Sequence, residues 1–299
     1  MPKKNKLIVI LGPTAVGKTE FAIKLAKKFN GEIISADSKQ VYKEMDIGTG
    51  KVSKKEMKGI PHYLLDIVSP KKHFSVAQYQ KLAYKNINKI LKKEKVPFLV
   101  GGSPFYIYSI VEGWTFPKMK PNWKLRKKLE KKTKEELFSI LKKLDKERAK
   151  TIEKENKRRL IRAIEIAKTF GKIPKLKKNP QFDCLLIGIK KQKDELKKRI
   201  SKRVDKMIRL GLEKEVRKLV KKYGWNPLLQ TIGYGEWLPY FEEKISKNEV
   251  GEKIKENTFQ FAKRQMTWFK RDKRIHWFKN YKETEKLIKH FLIKKREKY

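Results

Sequence analysis

The run Gly12-Pro13-Thr14-Ala15-Val16-Gly17-Lys18-Thr19 constrains this chain more than any other stretch. It follows an apolar segment, Leu7-Ile8-Val9-Ile10-Leu11, and leads into a helical pattern through Phe21, Ala22, Leu25 and Ala26. Strand, glycine loop and helix in that order are the context of a phosphate-binding P-loop. Backbone N–H groups converge on an anion at a helix N-terminus. Lys18 adds a point charge, and the Thr19 hydroxyl is placed to hold Mg²⁺. The motif calls for a diphosphate or triphosphate and does not choose between them.

The rest of the chain supplies an α/β frame. Residues 7–11, 32–36, 96–100 and 182–189 read as buried strands, and 18–29 and 76–93 as helices between them. That alternation predicts a P-loop NTPase-like parallel sheet flanked by helices. From Pro121 to about Lys172 there is no strand candidate, only helical patterns such as Leu137, Ile140, Leu141 and Leu144. We therefore expect a catalytic core of residues 1–113 and 182–299, interrupted by an all-helical insertion domain at 114–181. A long helix over 194–223, kinked or joined at Gly211, and another over 252–271 complete the expectation.

Charge points to a polyanion. Seventy-eight basic residues face 33 acidic ones, a net charge of +45. Between Trp114 and Gln181 there are 24 basic and 8 acidic residues, so the insertion is denser in positive charge than the remainder. Nucleic acid is the obvious partner, although lysine-rich codon drift produces the same bias without function. One cysteine, Cys184, excludes a disulfide framework, and four histidines leave no zinc cluster. No apolar run has the length of a signal peptide or membrane span, so a cytoplasmic protein without membrane contact is expected.

Asp37 follows the second strand in Ser35-Ala36-Asp37-Ser38-Lys39-Gln40. Ligands of open α/β sheets sit at the carboxyl ends of strands, which brings Asp37 near the P-loop as a metal anchor or a general base. A loop aspartate capping the next helix is the plain alternative. Arg199 and Arg203 lie four apart on one helix face, which by spacing alone is a solvated basic face. Aromatics between Glu252 and Arg271 are either core contacts or base-stacking platforms.

Five stretches together resemble the tRNA dimethylallyltransferase (tRNA isopentenyltransferase) family, bacterial type. They are Gly12–Thr19, Ser35–Thr49 (SADSKQVYKEMDIGT), Gly59–Pro70 (GIPHYLLDIVSP), Val100–Tyr106 (VGGSPFY) and Lys263–Phe269 (KRQMTWF). Weaker echoes are Arg158–Glu165, Arg199–Val216 and Gln230–Tyr234. The resemblance implies transfer of a dimethylallyl group from dimethylallyl diphosphate to the N6 amine of the adenosine 3′ to the anticodon. The P-loop then cradles the diphosphate leaving group, with Mg²⁺ on Thr19. It further implies Asp37 as general base and Arg203 as a diphosphate contact. RNA-facing positions implied in the core are Asp37, Ser38, Lys39, Gln40 and Ser103, then Gln230, Thr231, Ile232, Gly233, Tyr234 and Gly235, and finally Lys263, Arg264 and Gln265. Those in the insertion are Arg126, Arg158, Arg159, Leu160, Ile161 and Arg162. The partners implied are a tRNA anticodon stem-loop and dimethylallyl diphosphate, with the protein a monomer. Pro104, directly after Ser103, departs from the family pattern and is expected to shift the local backbone. The alternatives are an adenylate isopentenyltransferase or an ATP-using P-loop kinase acting on a small molecule.

Overall fold

The computed structural model describes residues 4–293. In chain order the first elements are β1 (Asn5–Leu11), α1 (Lys18–Lys28), β2 (Gly31–Ala36), β3 (His62–Tyr63), α2 (Val76–Leu91), β4 (Val96–Gly101) and α3 (Pro104–Val111). Then come β5 (Trp114–Thr115), α4 (Trp123–Glu130), α5 (Lys134–Leu144), α6 (Lys146–Thr151), α7 (Lys157–Phe170) and β6 (Lys177–Lys178). The chain continues through β7 (Phe182–Gly188), α8 (Lys193–Arg209), α9 (Leu212–Tyr223), α10 (Leu238–Phe241), α11 (Lys247–Phe269), β8 (His276–Trp277) and α12 (Tyr281–Ile293). Two compact units result: residues 1–113 with 180–299, and residues 114–179.

The larger unit is built on a six-stranded parallel sheet in the order β3-β2-β4-β1-β7-β8. Leu7 to Leu11 are fully buried, as a central parallel strand covered on both faces requires. β1 pairs with β4 on one side and β7 on the other. The loops after β1, β4 and β2 therefore emerge side by side at the carboxyl edge of the sheet, where open α/β folds bind ligands. The sequence places the glycine loop after β1, Gly102-Ser103 after β4 and Asp37 after β2.

Two local expectations are refined. The 194–223 segment is two helices, because Gly211 takes φ 95° as the N-cap of α9, a left-handed conformation that ends α8. Pro104 occupies the first turn of α3, where its missing N–H has no helical partner to lose, so it starts the helix there.

The smaller unit packs α4 to α7 around Leu129, Leu137, Leu141, Ala149, Ile152, Leu160, Ile161, Ala163 and Ile164. Its two ends meet in a short antiparallel ladder, Trp114 opposite Lys178 and Thr115 opposite Lys177. Leu160 and Ile161 are core residues, a correction to the expectation that their side chains face RNA: at this helical spacing they complete the apolar stripe of α7. Arg126 and Arg162 are also committed. Both donate to Glu165, which is fully buried and accepts from the Asn122 amide as well. Burial works to raise the Glu165 pKa, but these donors hold it below the usual carboxylate value. Arg159 pairs with Glu153 at 2.7 Å in an exposed setting, and Arg158 is exposed.

Removing the buried carboxylate strands Arg126 in a site that is 18% exposed. Glu165→Ala is expected to destabilise the protein by about 3 kcal/mol, read as a lower midpoint in urea unfolding.

Candidate active site

The glycine loop turns between β1 and α1 with Gly17 as the left-handed N-cap of α1. Among the described residues no acceptor takes the backbone N–H groups of Ala15, Val16, Gly17, Lys18 or Thr19, whereas the Thr14 amide donates to Gln265 Oε1 at 2.9 Å. Five amides at the start of an eleven-residue helix form an anion cradle by direction and by partial charge. Lys18 Nζ donates to the Pro13 carbonyl at 2.6 Å, which folds its side chain back over the loop.

A cavity of about 290 Å³ opens beside this loop. Thr14, Lys18 and Thr19 line it from the glycine loop, and Asp37, Ser38, Lys39 and Gln40 from the loop after β2. Gly102 and Ser103 contribute from the β4 turn, and Arg203 from α8. Its apolar wall is Val204, Met207, Ile254 and Phe261. Thr231, Ile232, Gly233 and Gln265 also line it.

Two cations set deep in this wall dominate its electrostatics. Burial lowers the Lys18 pKa to about 7, with nearby Asp37 opposing the shift and Arg203 adding to it. Burial also lowers the Arg203 pKa, against the pull of Asp37. Both cations have one carboxylate near them and more positive charge than it balances, so the site favours a further anion.

Asp37 is held for a second task. Its Oδ1 accepts from the amides of Lys39 at 2.8 Å and Gln40 at 3.3 Å. Oδ2 has no hydrogen-bond partner among the described residues, which leaves one oxygen of an oriented carboxylate for a proton. Ser103 Oγ accepts from the Ser38 amide at 3.0 Å, tying the β4 turn to the same loop.

The segment from Asp46 to Gly50 is shaped to receive Arg203. Arg203 Nη2 donates to the Thr49 carbonyl at 3.0 Å, and Gln40 Nε2 donates to the carbonyls of Thr49 and Gly50. Gly50 has φ 58°, and a Cβ there would stand 2.1 Å from Arg203 Nη2; only glycine admits the guanidinium. Glu215 accepts from the amides of Asp46, Ile47 and Gly48 and from the Tyr234 hydroxyl at 2.7 Å. Sequence reasoning missed Glu215, because an acid in the first turn of a basic helix looks like an ordinary helix-dipole residue. Met207 and Ile254 were missed as cavity residues because nothing in their local spacing goes beyond an apolar face, and Phe261, one of the aromatics weighed as core contacts or base-stacking platforms, lines the cavity.

The structure separates the remaining expected positions. Gln230, Gly235 and Arg264 line an adjacent open hollow of about 480 Å³ together with Trp225 and Glu236. Lys263 is exposed on α11. Tyr234 is fully buried and its hydroxyl is engaged by Glu215, so its side chain serves the loop and offers RNA no face. Gln265 is 3% exposed and bonded at both ends of its amide, an internal strut at the border of the cavity. The solvated-face reading of the α8 arginines fails for Arg203, while Arg199 is exposed and paired to Glu195 at 3.0 Å, with Nη1 3.8 Å from where a Cβ on Gly17 would stand. Among the described residues no three His, Cys, Asp or Glu side chains gather as a metal site, and no helix is long and apolar enough to cross a membrane.

Residues 40–272 match the protein-family model described as IPP transferase. A tRNA dimethylallyltransferase from Halothermothrix orenii is 45% identical over 98% of this chain and 95% of its own length. One from Staphylococcus epidermidis is 45% identical over 92% of this chain and 86% of its own length. The crystal structure of the tRNA isopentenylpyrophosphate transferase from Bacillus halodurans superposes with a TM-score of 0.73, at 36% identity over 97% of this chain and 96% of that one. A eukaryotic dimethylallyltransferase acting on tRNA superposes with a TM-score of 0.76, at 31% identity over 88% of this chain and 69% of that one.

The free-protein Lys18 pKa of about 7 sets a pH dependence. As the pH rises through about 7 the amine becomes increasingly neutral, and an arriving anion must then draw a proton onto it. Diphosphate binding at pH 8 is expected to take up protons, with affinity falling by up to about tenfold per pH unit above 7. Lys18→Arg, always charged, removes the Lys18 share of that uptake. Calorimetric titration in two buffers of different ionisation enthalpy reads it.

Proposed function

The chain belongs to the IPP transferase family, and on that premise we propose that it transfers a dimethylallyl group from dimethylallyl diphosphate to the N6 amine of the adenosine 3′ to the anticodon of tRNA. The observation that carries this reading is the juxtaposition in one cavity of an anion cradle and an oriented carboxylate. Lys18 and Thr19 line it from the glycine loop and Arg203 from α8, and Asp37 lines it from the loop after β2, close enough to both cations to oppose the lowering of their pKa values.

The chemistry follows from what each group stabilises. As the allylic C–O bond breaks, its electron pair leaves on the diphosphate oxygen, where the cradle amides, Lys18 and Arg203 meet the growing charge. The exocyclic amine of adenine is a poor nucleophile because its lone pair is delocalised into the ring. Its attack on the allylic carbon becomes favourable as its proton passes to Asp37 Oδ2. Val204, Met207, Ile254 and Phe261 supply an apolar bed for a five-carbon group and keep water from the electrophilic carbon. A base reaches this cavity only when turned out of its stack.

The Thr19 hydroxyl is exposed in the first turn of α1 and borders the same cavity. One protein hydroxyl beside diphosphate oxygens suits Mg²⁺, which binds through substrate phosphates and keeps its waters. When bound there it would add charge neutralisation at the leaving group.

In the 114–179 unit, Arg158 and the exposed lysines are cations open to phosphates, whereas Arg126 is taken up by the buried Glu165. A cytoplasmic location, where tRNA is available, belongs to the same proposal.

Incubation with dimethylallyl diphosphate, Mg²⁺ and either an anticodon stem-loop or AMP, followed by product mass, tests the reading. Prenylated RNA is expected; prenylated AMP alone, or ATP hydrolysis without prenyl transfer, refutes it. Asp37→Ala should lower single-turnover transfer by about 10²–10⁴ while stem-loop affinity stays within about twofold of wild type. Arg158→Ala should reduce the slope of log K against log salt by about one, as a filter-binding series from low to moderate salt would record.

A further inference from the structure

Gln265 sits at the meeting point of three elements that carry different parts of the proposed reaction. It lies on α11, 3% exposed, four residues after Phe261 in the cavity wall. Its Oε1 accepts from the Thr14 amide of the glycine loop at 2.9 Å. Its Nε2 donates to the Gly102 carbonyl at the end of β4 at 2.6 Å. The neighbours fix the orientation of the amide, because the reverse would face N–H to N–H and oxygen to oxygen. Gly102 is packed on all sides at this point. A Cβ there would stand 2.6 Å from Gln265 Nε2, 3.1 Å from the Gly12 carbonyl oxygen and 3.5 Å from Lys18 Nζ. One residue further on, Ser103 Oγ holds the Ser38 amide and with it the loop that carries Asp37.

Resting on the prenyl-transfer reading, we propose that Gln265 is the positioning residue that registers the diphosphate cradle against the Asp37 loop. It touches neither RNA nor the reacting atoms. It turns the Thr14 N–H outward from the cradle, so that the loop presents the amides of 15–19 and not of 14 to the anion. Through Gly102 and Ser103 it sets the distance from those amides to the carboxylate. A side chain able to bridge an N–H and a C=O must be both acceptor and donor, and of the residues of this length only glutamine is both without charge. Reacting groups must be held closely to react, so an error here acts on transfer as well as on anion binding.

Two variants separate this role from an RNA contact. Gln265→Met keeps volume and removes both bonds. Gln265→Glu keeps the size, retains the acceptor for Thr14, loses the donor to Gly102 and adds negative charge beside Lys18. Inorganic diphosphate is titrated calorimetrically, a fluorescent anticodon stem-loop by anisotropy, and transfer is followed in a single turnover, with thermal melting recorded for each protein. Gln265→Met should weaken diphosphate about tenfold and slow single-turnover transfer at least as much, and Gln265→Glu should weaken diphosphate further. Stem-loop affinity should stay within about twofold of wild type in both. If Gln265→Met does not fold, the isosteric Gln265→Glu carries the comparison. Diphosphate affinity unchanged in the folded variants overturns the proposal, whether stem-loop affinity falls or not. A wild-type protein that binds diphosphate and transfers nothing to RNA refutes the prenyl-transfer reading instead, and leaves the diphosphate comparison to decide the role of Gln265.

Discussion

Two cations share one carboxylate. Lys18 from the glycine loop and Arg203 from α8 both feel Asp37, and both are held where burial works against their charge. Desolvated cations are costly without a counter-charge, so the fold retains them only with extensive support. Lys18 is folded onto the Pro13 carbonyl, and Arg203 is seated over Gly50 with the Thr49 carbonyl as its acceptor. The excess positive charge makes the cavity a place for an anion, and the hydrogen bonds of Asp37 fall on one oxygen of its carboxylate.

The support for Arg203 extends outward through main-chain groups. Glu215 gathers three consecutive amides of the 46–48 segment and the Tyr234 hydroxyl. Gln40 holds the next two carbonyls. A loop with few apolar contacts of its own is thereby given a single shape by side chains from α9 and from the Asp37 loop. Glu236 does similar work for the neighbouring turn, accepting from the Gly233 amide and from Asn257. Partly buried networks of this kind favour one arrangement because each unmade bond has a cost.

The helical unit solves a different problem with the same means. Its positive charge has to face outward, yet the ends of α4 and α7 need a fixed relation. Glu165 supplies it by collecting two arginines and an amide in a fully buried position. Arginines that look equivalent along the sequence thus divide into those that hold the unit together and those exposed on its surface.

Much of this was legible in the residues alone. The apolar run before Gly12 and the glycine spacing determined the strand, the loop and the helix N-terminus, because those are local consequences of backbone geometry and burial. The alternation of strand and helix determined the parallel sheet, and Asp37 at the end of β2 was placed near the loop by a rule of sheet topology. Which face of a helix is inside, and which partner a long polar side chain reaches, are decided by elements far away in the chain. Gln265 and Thr14 are separated by 251 positions and Glu215 and Gly48 by 167. Leu160 and Ile161 inside the helical core, Glu215 under the 46–48 amides and Gln265 as a strut are all of that kind. Only the tertiary structure decided them, because a hydrogen bond or a desolvated charge depends on distance in space, and sequence spacing reports distance only within one helix, strand or turn.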